Sequence, residues 1–149
     1  MSTKEILNMP AGRELDLLIA EKCFCWEWFR ANGIMYFRPR EKFAYGAIKD
    51  GEAIEYMKNL PNYSADISAA FDVAEKLSNE WDFAIVNNQN FGKYPDMHYG
   101  CRLQRIDQSS HIKTIFALGE TAPLAICRAA LLSLDFVVIQ HLEVNAIDV

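Results

Sequence analysis

The sequence predicts a single-domain α/β (α+β) protein, with a central, mainly antiparallel sheet covered by helices on both faces as an α/β/α sandwich. The chain has 149 residues and 51% of them are hydrophobic, which suits one domain with a core of its own. Helix-like apolar periodicity recurs in three segments, and strand-like segments lie between them. No internal repeat or linker interrupts the sequence, so residues 1–149 are expected to form one domain.

Helices are predicted where apolar residues recur every three or four positions, because this spacing places them on one helix face. Pro10 opens the first such segment, in a turn where its missing N–H would have no partner. Ser64 and Thr121 precede the second and third segments as candidate N-caps. The predicted helices cover residues 10–26, 65–78 and 122–141, and a weaker fourth covers residues 52–59.

Strands are predicted for five shorter segments, at residues 28–29, 34–37, 81–86, 98–106 and 111–118. In segment 98–106 polar and apolar residues alternate, so one face of that strand is expected to be apolar and the other polar. The polar face is expected to serve either as the floor of a ligand site or as a surface open to water. It would present His98, Arg102 and Gln104 beside Asn87 and Gln89.

Composition and charge argue against several classes of protein. With 20 acidic and 15 basic residues the formal net charge is −5, which disfavours binding of duplex nucleic acid, since that affinity depends on neutralising phosphates. No apolar segment reaches the roughly 20 residues needed to span a bilayer, and the N-terminus lacks a signal-peptide pattern, so no membrane partner is expected. The four cysteines form no CxxC pair and are expected to be reduced and mostly buried in a cytoplasmic protein.

Basic residues are concentrated in two segments that are far apart in the sequence. Residues 28–42 have a net charge of +3 and residues 93–113 a net charge of +2, so the rest of the chain is strongly acidic. Such segregation would focus anions on one groove if the two segments converge. Aromatic residues are interleaved with these charges, and arginines with aromatic rings are the side chains that bind phosphates and bases. The alternative is that the arginines form surface ion pairs and the rings fill the core.

A nucleotide-binding site is therefore the hypothesis for these residues. Phosphates would be held by arginines, namely Arg30, Arg38, Arg40, Arg102 and Arg105. Bases would stack on aromatic side chains, namely Trp28, Tyr45, Phe91 and Tyr99. Polar edges of the ligand would be contacted by Asn87, Gln89, His98 and Gln104. The long connection at residues 87–99 would either close over the ligand or form a variable surface loop.

No motif in the sequence predicts catalysis, a metal or a cofactor. GxSxG, P-loop and GxGxxG motifs are absent, and the histidines have no neighbouring ligands at a zinc-like spacing. A general base at His98 or His111 is the enzymatic alternative. Arg13 and Asp16, three residues apart on the first helix, are interpreted as a surface ion pair. Arg128 is interpreted as a structural residue that binds helix-end carbonyls or an acidic partner.

Three segments of the chain occur in an order that is specific to one family. They are NMPAGRELD at residues 8–16, PNYSADISAA at residues 61–70 and TAPLAICRAALL at residues 121–132. Together they resemble the phage ABA sandwich domain family of small phage and prophage proteins. This resemblance implies an α/β/α fold and a phage origin, with residence in the cytoplasm of the host bacterium. The family usually has a glycine where this chain has Cys25, and residues 28–60 and 87–107 diverge from its pattern.

In size, origin and architecture the chain is also similar to compact phage proteins that act as sponges for immune signals. Those proteins bind the cyclic nucleotide or cyclic ADP-ribose signals of bacterial defence systems such as CBASS and Thoeris. The similarity implies a protein that sequesters such a signal without cleaving it, as a homo-oligomer with sites between protomers. The alternatives are a phage structural or interaction protein, binding a host or viral protein through aromatic residues of segment 24–45, and a nucleotide-cleaving enzyme.

Overall fold

The computed structural model describes residues 1–31, 34–39, 47–49, 60–87 and 96–147. Within these ranges the chain forms helices α1 (Thr3–Asn8), α2 (Arg13–Cys23), α3 (Ile67–Leu77) and α4 (Ala122–Ile147). It also forms strands β1 (Trp26–Ala31), β2 (Ile34–Pro39), β3 (Ala47–Lys49), β4 (Asp82–Asn87), β5 (Tyr99–Ile106) and β6 (Ile112–Gly119). The predicted helix at residues 52–59 lies outside the described residues.

The strands of the described ranges form two antiparallel three-stranded sheets, in the orders β1-β2-β3 and β4-β5-β6. In the second sheet Cys101 pairs with Ile85 on one side and with Ala117 on the other, so a row of apolar side chains crosses all three strands. Helices combined with antiparallel sheets confirm the predicted α/β class.

Helix α4 lies at the centre of the fold. Its residues 123–131 are all buried, so this part of the helix has no side that faces solvent. It packs against β5 and β6 and also contacts the other three described helices. A helix that is buried all round, with mostly apolar side chains, requires such surroundings. Gly119 ends β6 so close to the start of α4 that an added Cβ would lie 2.6 Å from the Ala125 nitrogen, which leaves no room for a side chain.

The chain leaves α2 through Cys25, which adopts the left-handed conformation with a φ of 57°. This conformation cannot continue a right-handed helix, so α2 ends at Cys23 and Trp26 is the first residue of β1. The sequence placed Trp26 at the end of the first helix, and that prediction is wrong. A residue with a Cβ pays about 1–2 kcal/mol in this region of φ and ψ, and glycine does not.

Two short elements, α1 and β3, are absent from the sequence-based prediction. Helix α1 begins with a capping box, in which the Ser2 hydroxyl accepts from the Glu5 backbone N–H at 3.2 Å. The Glu5 carboxylate in turn accepts from the Ser2 backbone N–H at 3.4 Å. Ser-x-x-Glu is a recognisable start signal, so the information for α1 was present in the sequence. At α4, the predicted cap is confirmed because the Thr121 hydroxyl accepts from the Leu124 N–H at 3.4 Å.

Ser64 does not cap α3 as predicted, because Asp66 is its N-cap and Ser64 binds a buried carboxylate. The Asp16 side chain, which is 2% exposed, accepts from the Ser64 N–H at 2.8 Å and from its hydroxyl at 2.7 Å. Arg13 Nη1 lies 3.4 Å from Asp16 and donates to the Leu60 carbonyl at 2.8 Å. The predicted Arg13–Asp16 pair is confirmed, but its carboxylate is buried and does not lie on the surface. This network fastens α2 to the segment before α3.

Three of the cysteines, Cys23, Cys101 and Cys127, are buried as free thiols, and Cys25 is exposed. The expectation that the cysteines are mostly buried is thereby confirmed. Burial raises the pKa of Cys23 and of Cys101 to about 12, so these thiols stay protonated near neutral pH.

Replacing Cys25 by glycine is expected to stabilise the fold by up to about 1 kcal/mol, because the left-handed conformation then costs nothing. Cys25→Ala is the matched control, since it removes the thiol and keeps the Cβ. Urea unfolding of the three proteins measures the effect. A Cys25→Ala variant as stable as Cys25→Gly would show that backbone strain is not the cause.

Replacing Asp16 by alanine is expected to lower the free energy of unfolding by about 3 kcal/mol, because the buried N–H and hydroxyl of Ser64 would lose their acceptor. Ser64→Ala should cost about 1–2 kcal/mol, and the double variant should cost clearly less than the sum of the two. Glu14→Ala, at an exposed position of the same helix, serves as the control. Additive losses in the double-mutant cycle would contradict the proposed network.

Candidate functional site

The side chains of β5 alternate between the core and the surface of the sheet. Cys101 is fully buried, whereas its neighbour Arg102 is exposed and pairs directly with Phe116 of β6. Directly paired residues of antiparallel strands share a face, so Arg102 and Phe116 lie side by side. This confirms the predicted alternation of the strand. The outward surface of this sheet is called the open face here, and its members include Ala84, Arg102, Gln104, Thr114 and Phe116.

Arg102 supplies the exposed cation of the open face. Its guanidinium has no hydrogen-bond or ion-pair partner among the described residues. Gln104, two residues further along the strand, donates from Nε2 to the Thr114 hydroxyl at 3.4 Å. An anion can therefore bind Arg102 without first breaking an ion pair, which removes one cost of binding.

Phe116 lies across the strand backbone at Gly100. A Cβ added to Gly100 would stand 2.8 Å from Phe116 Cε2 and 3.1 Å from Val86 Cγ2, so glycine is required for the ring to lie there. The Phe116 side chain nevertheless stays 42% exposed. The open face thus presents aromatic surface directly beside the arginine, as stacking of a base would require.

A pocket of about 300 Å³ opens between α1 and the end of β6. It is called the α1–β6 pocket here, and the described residues that line it are Leu7, Asn8, Met97, Phe116 and Leu118. Phe116 belongs both to this pocket and to the open face, so the two are continuous. The volume is at the lower end of the range for small-molecule sites.

Arg128 of α4 lies behind the pocket and is only 3% exposed. Its Nε and Nη2 donate to the Met9 carbonyl at 3.1 and 2.8 Å. Its Nη1 donates to the Leu118 carbonyl at 2.9 Å and lies 3.8 Å from Met97 Sδ. Burial lowers the pKa of Arg128, an effect that the charge of Glu120 opposes. The predicted binding of Arg128 to backbone carbonyls is confirmed.

One predicted residue, Asn87 at the end of β4, lies on the other side of the sheet from the one expected. Asn87 pairs directly with Tyr99, and both belong to the same side of the sheet as Cys101. The expectation that Asn87 lies beside Arg102 on the polar face is therefore wrong, because the register places it one residue out of phase. His98 is exposed and directly precedes β5.

Arg105 does not join Arg102, although both were predicted to hold phosphates. The two residues are three positions apart on one strand, an odd number, so their side chains belong to opposite faces. The Arg105 guanidinium lies over the ring of Trp81, 4.4 Å from its centroid. A cation–π contact with a buried tryptophan is a structural use of this arginine.

Two of the basic residues predicted from segment 28–42, Arg30 and Arg38, belong to the other sheet. Trp28 donates from Nε1 to the Glu21 carboxylate at 2.9 Å, which fastens β1 to α2. Arg38 pairs directly with Glu27 of β1 and therefore shares its face of the hairpin. Position 27 is three residues from Arg30 on the same strand, an odd number, so Arg30 and Arg38 occupy positions on opposite faces. Of the predicted arginines that the structure describes, Arg102 is the one on the open face. The predicted residues outside the described ranges are Arg40, Tyr45, Gln89 and Phe91.

Phe116 is the main residue that the sequence analysis missed. The signal that could have identified Phe116 is the alternation of buried and exposed positions along β6. Ile115 and Ala117 are buried, whereas Thr114 and Phe116 are exposed. The pocket residues Leu7 and Met97 come from separate segments of the chain and have no common sequence signal.

The hairpin loop between β5 and β6 brings together a serine, a histidine and an aspartate. The Ser109 hydroxyl lies 2.7 Å from Asp107 Oδ1 and 2.8 Å from His111 Nδ1. In a catalytic triad the histidine stands between the other two residues and uses both ring nitrogens. Here the same ring nitrogen of His111, Nδ1, faces both Ser109 and Asp107, so the arrangement differs from a triad. The Asp107 backbone N–H also donates to the His111 carbonyl at 3.0 Å. These contacts close a tight turn at Ser110, whose φ is 64°.

The described part of the chain contains neither a cluster of metal-binding side chains nor a membrane-spanning helix. No group of three or more His, Cys, Asp and Glu side chains in these ranges is placed to hold a metal ion. None of the helices in these ranges is both long and apolar enough to cross a bilayer.

Comparison with known proteins gives one match. The family model described as the phage ABA sandwich domain matches residues 17–131, most of the chain. No curated protein and no solved structure matches the sequence. The matched range includes β5, β6 and the buried part of α4, so the open face lies inside the family domain.

The hydrogen bonds of Asp107 in the β5–β6 loop should make the free energy of unfolding depend on pH. Bonds from the Ser109 hydroxyl and the His111 N–H hold the pKa of Asp107 at about 2, below the ordinary value of 3.8. A lowered pKa in the folded state contributes stability above pH 3.8, and that contribution is lost as the pH falls towards 2. Asp107→Asn should therefore lower the melting temperature at pH 6, and the difference from the parent protein should vanish near pH 2. A difference that is constant across this range would contradict the assignment.

Proposed function

The chain belongs to the phage ABA sandwich domain family, and from this premise we propose that it binds and sequesters a small anionic nucleotide without cleaving it. The ligand is a cyclic immune signal of the host, of the cyclic ADP-ribose type or a cyclic oligonucleotide. Its removal from the host cytoplasm counteracts anti-phage defence. Neither duplex nucleic acid nor a membrane is a partner in this proposal, in keeping with the net charge of −5.

The observation that carries the proposal is the pairing of Arg102 with Phe116 on the open face. Arginine binds phosphate through a planar set of donors, and an aromatic ring accepts the face of a base. Both side chains are exposed, and the guanidinium is not engaged by another described residue. Gln104 and Thr114 add an amide and a hydroxyl beside them.

A second copy of the chain is needed to complete the site. Small-molecule sites usually bury most of the ligand surface, and a sheet face by itself covers one side of a ligand. A homo-oligomer in which two open faces approach each other would enclose the nucleotide between protomers. Symmetric dimers are the commonest way to bring two identical surfaces together.

A protein partner is the second candidate function, and a separate observation favours it. Ile106 and Ile112 pair directly at the hairpin end of the sheet and are 72% and 68% exposed. Large apolar side chains that stand together on the surface are typical of protein interfaces. Purification from a host lysate would favour this candidate if it yields a stoichiometric protein partner and no bound nucleotide.

Calorimetric titration with cyclic ADP-ribose isomers and cyclic dinucleotides tests the proposal. At least one of these ligands should bind, and heating the complex should release it intact. Arg102→Ala should weaken binding by about tenfold to a hundredfold, the usual effect of losing a hydrogen bond to a charged group. Lys22→Ala, which removes an exposed positive charge on α2, is the control for net charge and should leave the affinity unchanged.

Two results would contradict the proposal. One is the absence of binding to every member of the panel. The other is recovery of a cleaved ligand, which would indicate the nucleotide-cleaving alternative. Equal losses for Arg102→Ala and Lys22→Ala would place the ligand away from the open face.

A further inference from the structure

The α1–β6 pocket adjoins the open face at Phe116, and we infer that it is the subsite for an amino-substituted purine ring of the bound ligand. The inference rests on the proposed function for the phosphate contact at Arg102. The pocket itself is a separate feature of the structure, because α1 and Met97 contribute to it and not to the sheet.

The floor of the pocket is suited to a planar group. Phe116 lies over Gly100, where the missing side chain lets the ring approach the strand backbone and Val86. A ring held in this way is pre-oriented, so a base that stacks on it loses little conformational entropy from the protein.

The walls of the pocket are apolar and of suitable size. Leu7, Met97 and Leu118 surround a space of about 300 Å³, and a thioether makes favourable contacts with aromatic rings. Arg128 lies directly behind the Met97 sulfur, at 3.8 Å, and donates its other hydrogen bonds to backbone carbonyls. No carboxylate of the described residues lies within ion-pair distance of Arg128, although the charge of Glu120 acts on it.

Asn8 supplies a polar edge at the rim. Its Nδ2 donates to the Lys4 carbonyl at 2.8 Å, which orients the carboxamide. Its Oδ1 accepts no hydrogen bond from a described residue. An exocyclic amine of a purine is the matching donor, whereas an oxo group at the same position would meet an oxygen.

The position of Arg102 is compatible with a whole nucleotide. Arg102 and Phe116 are direct neighbours across two strands, about 5 Å apart. A ribose can span this spacing, with its base over Phe116 and its phosphate at the guanidinium.

The test uses two phosphate-free probes, adenosine and inosine, which differ at the purine amine. The protein is labelled at its methionine methyl groups, and the Met97 signal is assigned with a Met97→Leu variant. Adenosine should shift the Met97 methyl resonance through the ring current of the base and should bind at least about threefold more tightly than inosine. Asn8→Ala, at an exposed position that leaves the core intact, should abolish this preference.

A pocket-filling variant adds an independent readout. Leu118→Trp should reduce the affinity for adenosine at least about tenfold, because the indole would occupy the pocket. Ile112→Trp, which enlarges an exposed residue of the same strand away from the pocket, is the matched control and should have no effect.

The outcomes separate this inference from the proposed function. Adenosine that binds without shifting Met97, or nucleotide binding that depends on Arg102 and is unaffected by Leu118→Trp, would overturn the purine subsite alone. A Met97 shift with adenosine, combined with phosphorylated ligands that bind no better than adenosine, would support the subsite and contradict the proposed function. Failure of adenosine and of all phosphorylated ligands to bind would overturn both.

Discussion

The candidate site depends on a buried guanidinium that is satisfied by backbone carbonyls. Arg128 extends from the central helix and donates to the Met9 carbonyl between α1 and α2 and to the Leu118 carbonyl of β6. Removing the partners of a buried charge costs about 3–5 kcal/mol, so these two segments are held to the helix and to each other. Helix α1 is thereby fixed beside β6, and the space between them is the α1–β6 pocket.

The segments that carry the family resemblance stabilise the fold, and the candidate ligand residues of the open face lie outside them. Segment 8–16 is bound by Arg128 from segment 121–132, and Asp16 binds Ser64 from segment 61–70. These contacts explain why such distant segments occur together, since each supplies a partner for a buried polar group of another. Arg102 and Gln104, in contrast, lie outside these three segments.

Most of the fold was predictable from the sequence because its signals are local. The three long helices and the alternation in β5 follow from apolar periodicity, and all are present. The end of α2 was not predictable from periodicity, because the left-handed conformation of Cys25 interrupts an otherwise continuous helical pattern. The arrangement of the candidate site was predicted in part. Strand alternation identified Arg102 and Gln104, whereas the separation of Arg105 and Asn87 from them required the register, which depends on pairing between strands.

The most direct test is amide hydrogen exchange measured by mass spectrometry, with and without a saturating cyclic nucleotide. It shows whether the open face and the α1–β6 pocket bind the ligand. The account predicts slower exchange in peptides that cover the end of α1, the first half of β5 and the second half of β6. Slower exchange confined to β1 and β2, or no change in any peptide, would contradict it.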